Sequence, residues 1–224
     1  MNRSDEIASA LESIQAELPE RCTLIVVTKT FPVSDVEILY RLGQRDFGEN
    51  YIQEGVDKIT ALKAEPYPLV WHCIGPIQSN KTKLVAEHFD WVHTVDRLKI
   101  AQRLGEQRPD HLPPLQVCLQ VNIDGGVTKS GAVPEEALAL AQAVVAMPRL
   151  VLRGLMTIPD PVEGFDVQVA LHTQAKHLFD RLQASLALPH FDTLSMGMSA
   201  DLEAAIHAGS TLVRVGTALF GARG

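Results

Sequence analysis

The sequence predicts an α/β fold, a single (β/α)8 barrel of the TIM type with an additional N-terminal helix, and three observations carry the prediction. Eight short apolar, β-branched runs recur along the chain, each followed by a segment of helical periodicity. Strands joined through single helices run parallel. The runs are also near-continuous in apolar character, as in Leu24-Ile25-Val26-Val27, the pattern of strands buried on both faces. An open, doubly wound sheet is the alternative, because the second and seventh runs are short.

The chain opens on an amphipathic helix with Ile7, Leu11, Ile14 and Leu18 at helical spacing, a single apolar stripe that packs outside the barrel. The first strand covers Thr23 to Thr28. Ser34 with Glu37 predicts a capping box for the helix after it, and Gly43 marks where that helix ends. Strands two to five are expected at Arg45 to Phe47, Val70 to Gly75, Trp91 to Val95 and Leu115 to Asn122. Pro134 followed by Glu135 and Glu136 suits a helix N-terminus, where a missing N–H and negative charge are both favoured. The last three strands fall at Leu152 to Met156, Thr193 to Met196 and Thr211 to Gly216, with Gly209 ending the helix before the eighth. No composition shift marks a boundary, so residues 1–224 are expected to form one domain.

Apolar residues at 46% and charged ones at 21% exclude a disordered or fibrous chain. A formal charge of −7 without a basic cluster excludes a nucleic-acid footprint, which needs phosphates neutralised by grouped Lys and Arg. Asp5, Glu6, Glu12 and Glu17 would interrupt any signal-peptide core. The least polar stretch, Ala137 to Pro148, is too short to cross a bilayer. A cytoplasmic protein with no membrane partner is expected. Cys22, Cys73 and Cys118 offer neither a disulfide framework nor zinc spacing and are expected as reduced core thiols. The histidines show no ligand spacing, and no metal is expected.

In barrels of this kind the active site lies at the carboxyl ends of the strands. The residues there are Lys29; Glu49 and Asn50; Pro76 to Lys81; Asp96 and Arg97; Asn122 with Lys129; Thr157; Gly197 to Ser199; and Gly216 with Thr217. Lys29 follows directly on a buried strand. Partial desolvation favours the neutral amine, the form that condenses with an aldehyde, although taken alone a lysine here more often merely ends a strand and reaches solvent. The loops after strands seven and eight, Met196-Gly197-Met198-Ser199 and Gly216-Thr217, combine glycines, hydroxyls and a helix start at Ser199, which suits an anion. Two ordinary turns with Ser199 as an N-cap would read the same way. Arg214 lies inside the eighth strand and needs an acceptor, either an acidic side chain or a ligand atom at the mouth.

The chain resembles the YggS/PROSC family, the pyridoxal phosphate homeostasis proteins. The resemblance runs through Val26-Val27-Thr28-Lys29-Thr30, Asp46-Phe47-Gly48-Glu49-Asn50-Tyr51, Trp71-His72, Ile74-Gly75, Gln78-Ser79-Asn80-Lys81 and Val121-Asn122 with Lys129-Ser130-Gly131. It continues through Gly154-Leu155-Met156-Thr157-Ile158, Leu194 to Asp201 and Val213-Arg214-Val215-Gly216-Thr217. It implies a single alanine-racemase-like barrel holding pyridoxal 5′-phosphate (PLP). Lys29 would be the Schiff-base lysine, Ser199, Gly216 and Thr217 would hold the phosphate, Arg214 would face the pyridine nitrogen, and Asn50 would join them. Lys129 matches a second family lysine linked to moving the cofactor. The sequence departs from the family at Phe31, where a further lysine is common, and at Gly126, where many members carry an acid.

The resemblance implies a reversible covalent PLP carrier or regulator acting in PLP homeostasis, a monomer with transient contacts to PLP-dependent apoenzymes and no substantial catalysis. The alternatives are a PLP-dependent amino-acid racemase and an aldolase using the same lysine and phosphate cradle. Racemisation needs an acid/base on each face of the substrate α-carbon, and only Tyr40, Tyr51 and Tyr67 could donate a phenol opposite Lys29.

Overall fold

The structure is a computed structural model that describes residues 2–63, 67–126 and 130–221. Its elements alternate from end to end. They are α1 (Arg3–Glu17), β1 (Thr23–Val27), α2 (Val33–Arg41), β2 (Asp46–Glu49), α3 (Ile52–Leu62), β3 (Val70–Cys73), α4 (Thr82–His88), β4 (Trp91–Val95) and α5 (Leu98–Gln107). There follow β5 (Leu115–Gln120), α6 (Ala137–Val145), β6 (Leu150–Met156), α7 (Phe165–Leu186), β7 (Thr193–Ser195), α8 (Leu202–His207), β8 (Leu212–Val215) and α9 (Thr217–Phe220).

The eight strands pair in sequence order, all parallel, into a closed barrel. Closure decides against the open sheet: β1 pairs with β8 from Thr23 opposite Leu212 to Val26 opposite Val215. The second strand begins at Asp46 rather than Arg45 and runs on through Gly48 and Glu49. Gly48 continues it because it faces the interior, where a β-carbon would meet Ile25 at 2.7 Å and Ile74 at 2.9 Å.

The apolar core lies between strands and helices. Leu24, Val26, Phe47, Val92, Val117, Leu155 and Val213 meet Val36, Leu39, Ile100, Leu104 and Ala175 there, each removed from water and each large one worth roughly 1.5–3 kcal/mol. Helix α1 adds Ile7, Leu11 and Ile14 by packing against α2 and α9. Cys22, Cys73 and Cys118 are buried free thiols. Among the described residues no helix is long and apolar enough to cross a membrane.

Two expected caps are replaced. Helix α2 starts at Val33 with Pro32 as its N-cap, so Ser34 already lies inside the first turn and closes no capping box. Proline sets that entry through its locked φ of −73°. Helix α8 starts at Leu202 with Asp201 at the cap position, and Ser199 lies in the preceding turn. Gly43 and Gly209 take positive φ after α2 and α8 as expected.

The barrel interior also holds polar side chains. His93 of β4 and Ser195 of β7 are hydrogen-bonded at 2.9 Å although their strands are not neighbours in the sheet, so the contact crosses the inside of the barrel.

Candidate functional site

Lys29 stands two residues past β1, half-buried, in a segment held on both sides. The hold comes from Lys58 of α3, which is 5% exposed. Its Nζ donates to the Thr28 carbonyl at 2.6 Å and to Oε1 of Glu49 and of Glu54, each at 2.7 Å, so all three ammonium hydrogens are used. The Thr28 hydroxyl donates to Glu49 Oε1 at 2.6 Å, and the Thr30 amide donates to Glu54 Oε1 at 2.5 Å. Thr30 sits in the left-handed region at φ 67°, a conformation an L-residue holds only when its surroundings impose it. Burial pushes the Glu49 carboxyl above its usual range, against the opposing pull of Lys58 and Thr28.

Ser199 lies opposite, on the β7 loop. Its Oγ accepts from the Ala218 amide at 3.2 Å, which ties this loop to the start of α9. The loop depends on Gly197, at φ 95°, where a β-carbon would stand 2.5 Å from that of Ala205. Asp201 fastens the far side by accepting from the Met198 amide at 2.7 Å and facing His172 Nε2 at 2.9 Å. Burial raises the Asp201 carboxyl, but these partners outweigh it and hold it below its usual value. Gly216 at the N-cap of α9 lies against Val27 of β1, with 3.2 Å left for a β-carbon.

Arg214 is 3% exposed and meets no carboxylate hydrogen-bond partner among the described residues. Its Nη1 donates to Ser195 Oγ at 2.6 Å and its Nη2 to the Thr157 carbonyl at 3.0 Å. Burial pushes its pKa down to about 10, partly opposed by Asp201, so it remains a cation at neutral pH.

Lys29, Ser199, Arg214, Gly216 and Thr217 line one cavity of ≈ 480 Å³, together with Val27, Phe31 and Met198. An amine, a permanent cation and a hydroxyl-bearing turn thus share one small space. Phe31 fills its wall by stacking on Phe220, with centroids 4.1 Å apart. Arg3, paired with Asp35 at 2.7 Å, lies over both rings.

Other residues of the sequence reading lie outside this wall. Asn50 is not part of it, but its Oδ1 is buried with no hydrogen-bond partner among the described residues, as are Asn122 Oδ1 and Thr157 Oγ1. These three atoms sit at the carboxyl ends of β2, β5 and β6. The Asn50 carbonyl approaches Gly75 so closely that only glycine fits there. Asp96 and Arg97 pair with each other at 2.8 Å, Lys83 lies near Glu87 at 3.7 Å, and Lys81 caps α4. Tyr40 packs on Tyr67, while Tyr51 is 55% exposed. Lys129 lies outside the described residues. The sequence reading missed Lys58, whose spacing four residues after Glu54 was its one legible trace.

The profile of the alanine racemase N-terminal domain matches residues 3–224. A protein of Pseudomonas aeruginosa named pyridoxal phosphate homeostasis protein is 57% identical over 205 residues, covering 92% of this chain and 86% of that one. PipY of Synechococcus elongatus, solved with PLP bound, is 36% identical with a TM-score of 0.87, covering 96% of this chain and 100% of that one. An alanine racemase of Clostridium difficile shares the fold, with a TM-score of 0.79 at 17% identity over 98% of this chain and 57% of that one.

Proposed function

The chain belongs to the alanine racemase N-terminal domain family, among the pyridoxal phosphate homeostasis proteins, and from that premise we propose that it binds PLP covalently but reversibly and influences its level and delivery to apoenzymes. The observation that carries this reading is the single cavity walled by Lys29, Ser199, Arg214, Gly216 and Thr217. When bound, PLP supplies an aldehyde that a lysine amine captures with loss of water, and a phosphate that needs hydroxyl and amide donors. Lys29 is the amine. Ser199, Thr217 and the turn at Gly216 take the phosphate, and Arg214 borders the ring nitrogen. The residues fit such a ligand, because the Lys29 amine, the Arg214 cation and the Ser199 and Thr217 hydroxyls converge on one cavity.

We further propose that turnover of amino acids is negligible. Of the described side chains lining the cavity, only Lys29 and Arg214 ionise, and Arg214 is a cation that cannot serve as a base. General acid–base help is worth ~10²–10⁴-fold, and among the described residues no tyrosine lines the cavity to supply it opposite Lys29.

The test has two arms. A visible absorption band should form with PLP and be lost on borohydride reduction; no band at any PLP concentration would refute the binding. Turnover of any L-amino acid on the order of 1 s⁻¹ or faster, followed by optical rotation and keto-acid release, would restore the racemase-like reading.

A further inference from the structure

Behind Arg214 the barrel interior holds a chain of four polar side chains. Arg214 Nη1 donates to Ser195 Oγ, Ser195 Oγ lies 2.9 Å from His93 Nδ1, His93 Nε2 lies 3.0 Å from His72 Nδ1, and His72 Nε2 lies 2.9 Å from Asp46 Oδ1. Asp46 opens β2, so the chain runs from the amino-terminal rim to the mouth of the barrel. Its two ends carry opposite charge.

The proton positions follow from the two ends. The Asp46 carboxylate only accepts, so His72 donates from Nε2, and with one proton on each ring it accepts at Nδ1. That acceptor requires the His93 proton on Nε2, which leaves His93 Nδ1 bare. Ser195 must then donate its single hydrogen to His93, and its Oγ is left with lone pairs alone for Arg214. With one proton on each ring, this arrangement alone satisfies every link. Burial, with His72 and Arg214 nearby, holds His93 well below the usual imidazole value, so its ring carries a single proton at neutral pH. The rings have little freedom: Trp91 lies 5.4 Å from His72 and 5.8 Å from His93, with Arg153 4.8 Å over its face.

We propose that Asp46, His72, His93 and Ser195 are positioning residues that form a one-directional hydrogen-bond relay, aiming the Arg214 guanidinium at the ring end of the ligand from the far side of the barrel. Ser195 and the Thr157 carbonyl hold the two terminal nitrogens, and the relay keeps the serine from ever presenting its hydrogen to the cation. The proton assignment stands on the protein alone, whereas the effect on a ligand rests on the PLP reading above.

Nitrogen-15 spectra of the histidine side chains in PLP-free protein test the assignment. Both His72 and His93 should carry their proton on Nε2 at neutral pH; an Nδ1 proton or an imidazolium at either position overturns the relay. PLP titrations test its consequence. Ser195→Ala and His93→Phe should weaken PLP by about tenfold or more, as expected on losing a bond to a charged group, and shift the absorption band, with Ser195→Thr restoring both. Should His93→Phe not fold, Asp46→Asn at the half-exposed rim replaces it, with a change of at least about twofold expected because an amide can donate and reverse the chain. Unchanged affinity and band in folded variants overturn the proposal. Borohydride fixation of PLP on the wild type runs in parallel, so its failure would indict the PLP reading while the tautomers still decide the relay.

Discussion

Lys29 is presented to its cavity by neighbours that are hydrogen-bonded on both sides, with the Thr28 carbonyl on Lys58 and the Thr30 amide on Glu54. A nucleophile held in this way gains through orientation rather than strength. Borohydride reduction of the PLP-loaded protein followed by peptide mass spectrometry should therefore find the label on Lys29; label mainly on Lys81, Lys83 or Lys129 would refute the assignment. Lys29→Ala should retain weaker, noncovalent PLP through Ser199 and Thr217, and complete loss of binding would show that those loops contribute little. Arg214 acts on the other end. Its acceptors are a neutral hydroxyl and a neutral carbonyl, so its charge is not cancelled at contact distance. Two cations a hydrogen bond apart repel strongly in a buried site, so the pyridine nitrogen should stay unprotonated. Labelled PLP gives the answer by nitrogen-15 shift: an unprotonated ring in the wild type is expected, and a protonated one would remove this role from Arg214.

At the scale of elements, the cluster of Lys58, Glu49 and Glu54 joins β1, β2 and α3 at the mouth. Removing one member of a buried ion pair leaves the other charged and unsolvated, a loss typically of about 3–5 kcal/mol. Lys58→Ala should lose stability of that order in urea unfolding and also slow the fixation of PLP, because the backbone flanking Lys29 is released. Adding Glu49→Gln should recover part of the loss; a double variant no more stable than the single would show that the unpaired carboxylate was not the cause. The turn between β7 and α8 is the second such element. Gly197→Ala combines a positive φ with a contact of 2.5 Å and should cost about 2–3 kcal/mol, read as a shift in the urea midpoint at constant slope.

The whole barrel carries a pH signature because His93 is buried inside it. The unfolded chain takes up a proton on His93 near 6.5, whereas the folded protein refuses it until the pH is well below that value. The unfolded state therefore binds more protons, and stability falls as pH drops below about 6.5, by up to ~1.4 kcal/mol per pH unit for one site. Glu49 has the opposite sense, since its raised carboxyl imposes a cost that acidification relieves. Comparing urea unfolding of the wild type with His93→Asn between about pH 5 and pH 7 isolates the histidine. The variant should show the shallower dependence, and equal slopes would mean that His93 is not the group refusing the proton.

The strands, the helices and the parallel order were legible because periodicity is local: Leu24 to Val27 reads as a buried strand and Ile7, Leu11 and Ile14 as a helix stripe without reference to anything distant. That Lys29, Ser199, Arg214, Gly216 and Thr217 would share one mouth was legible for a related reason, since strand ends face the mouth of any such barrel. Ser199 as a helix cap was not, because Pro32 and Asp201 show that cap positions depend on how neighbouring turns pack. Lys58 reads as a surface lysine of a helix and becomes buried only when α3 closes over β1 and β2. His72, His93 and Ser195 carry no pattern of their own. His93 meets a partner 102 residues away, and only barrel closure brings strands that share no hydrogen bonds face to face across one interior. Local periodicity thus determined the elements and the mouth residues, and tertiary closure decided which buried polar groups meet, because an unpaired buried group costs more than any local propensity supplies.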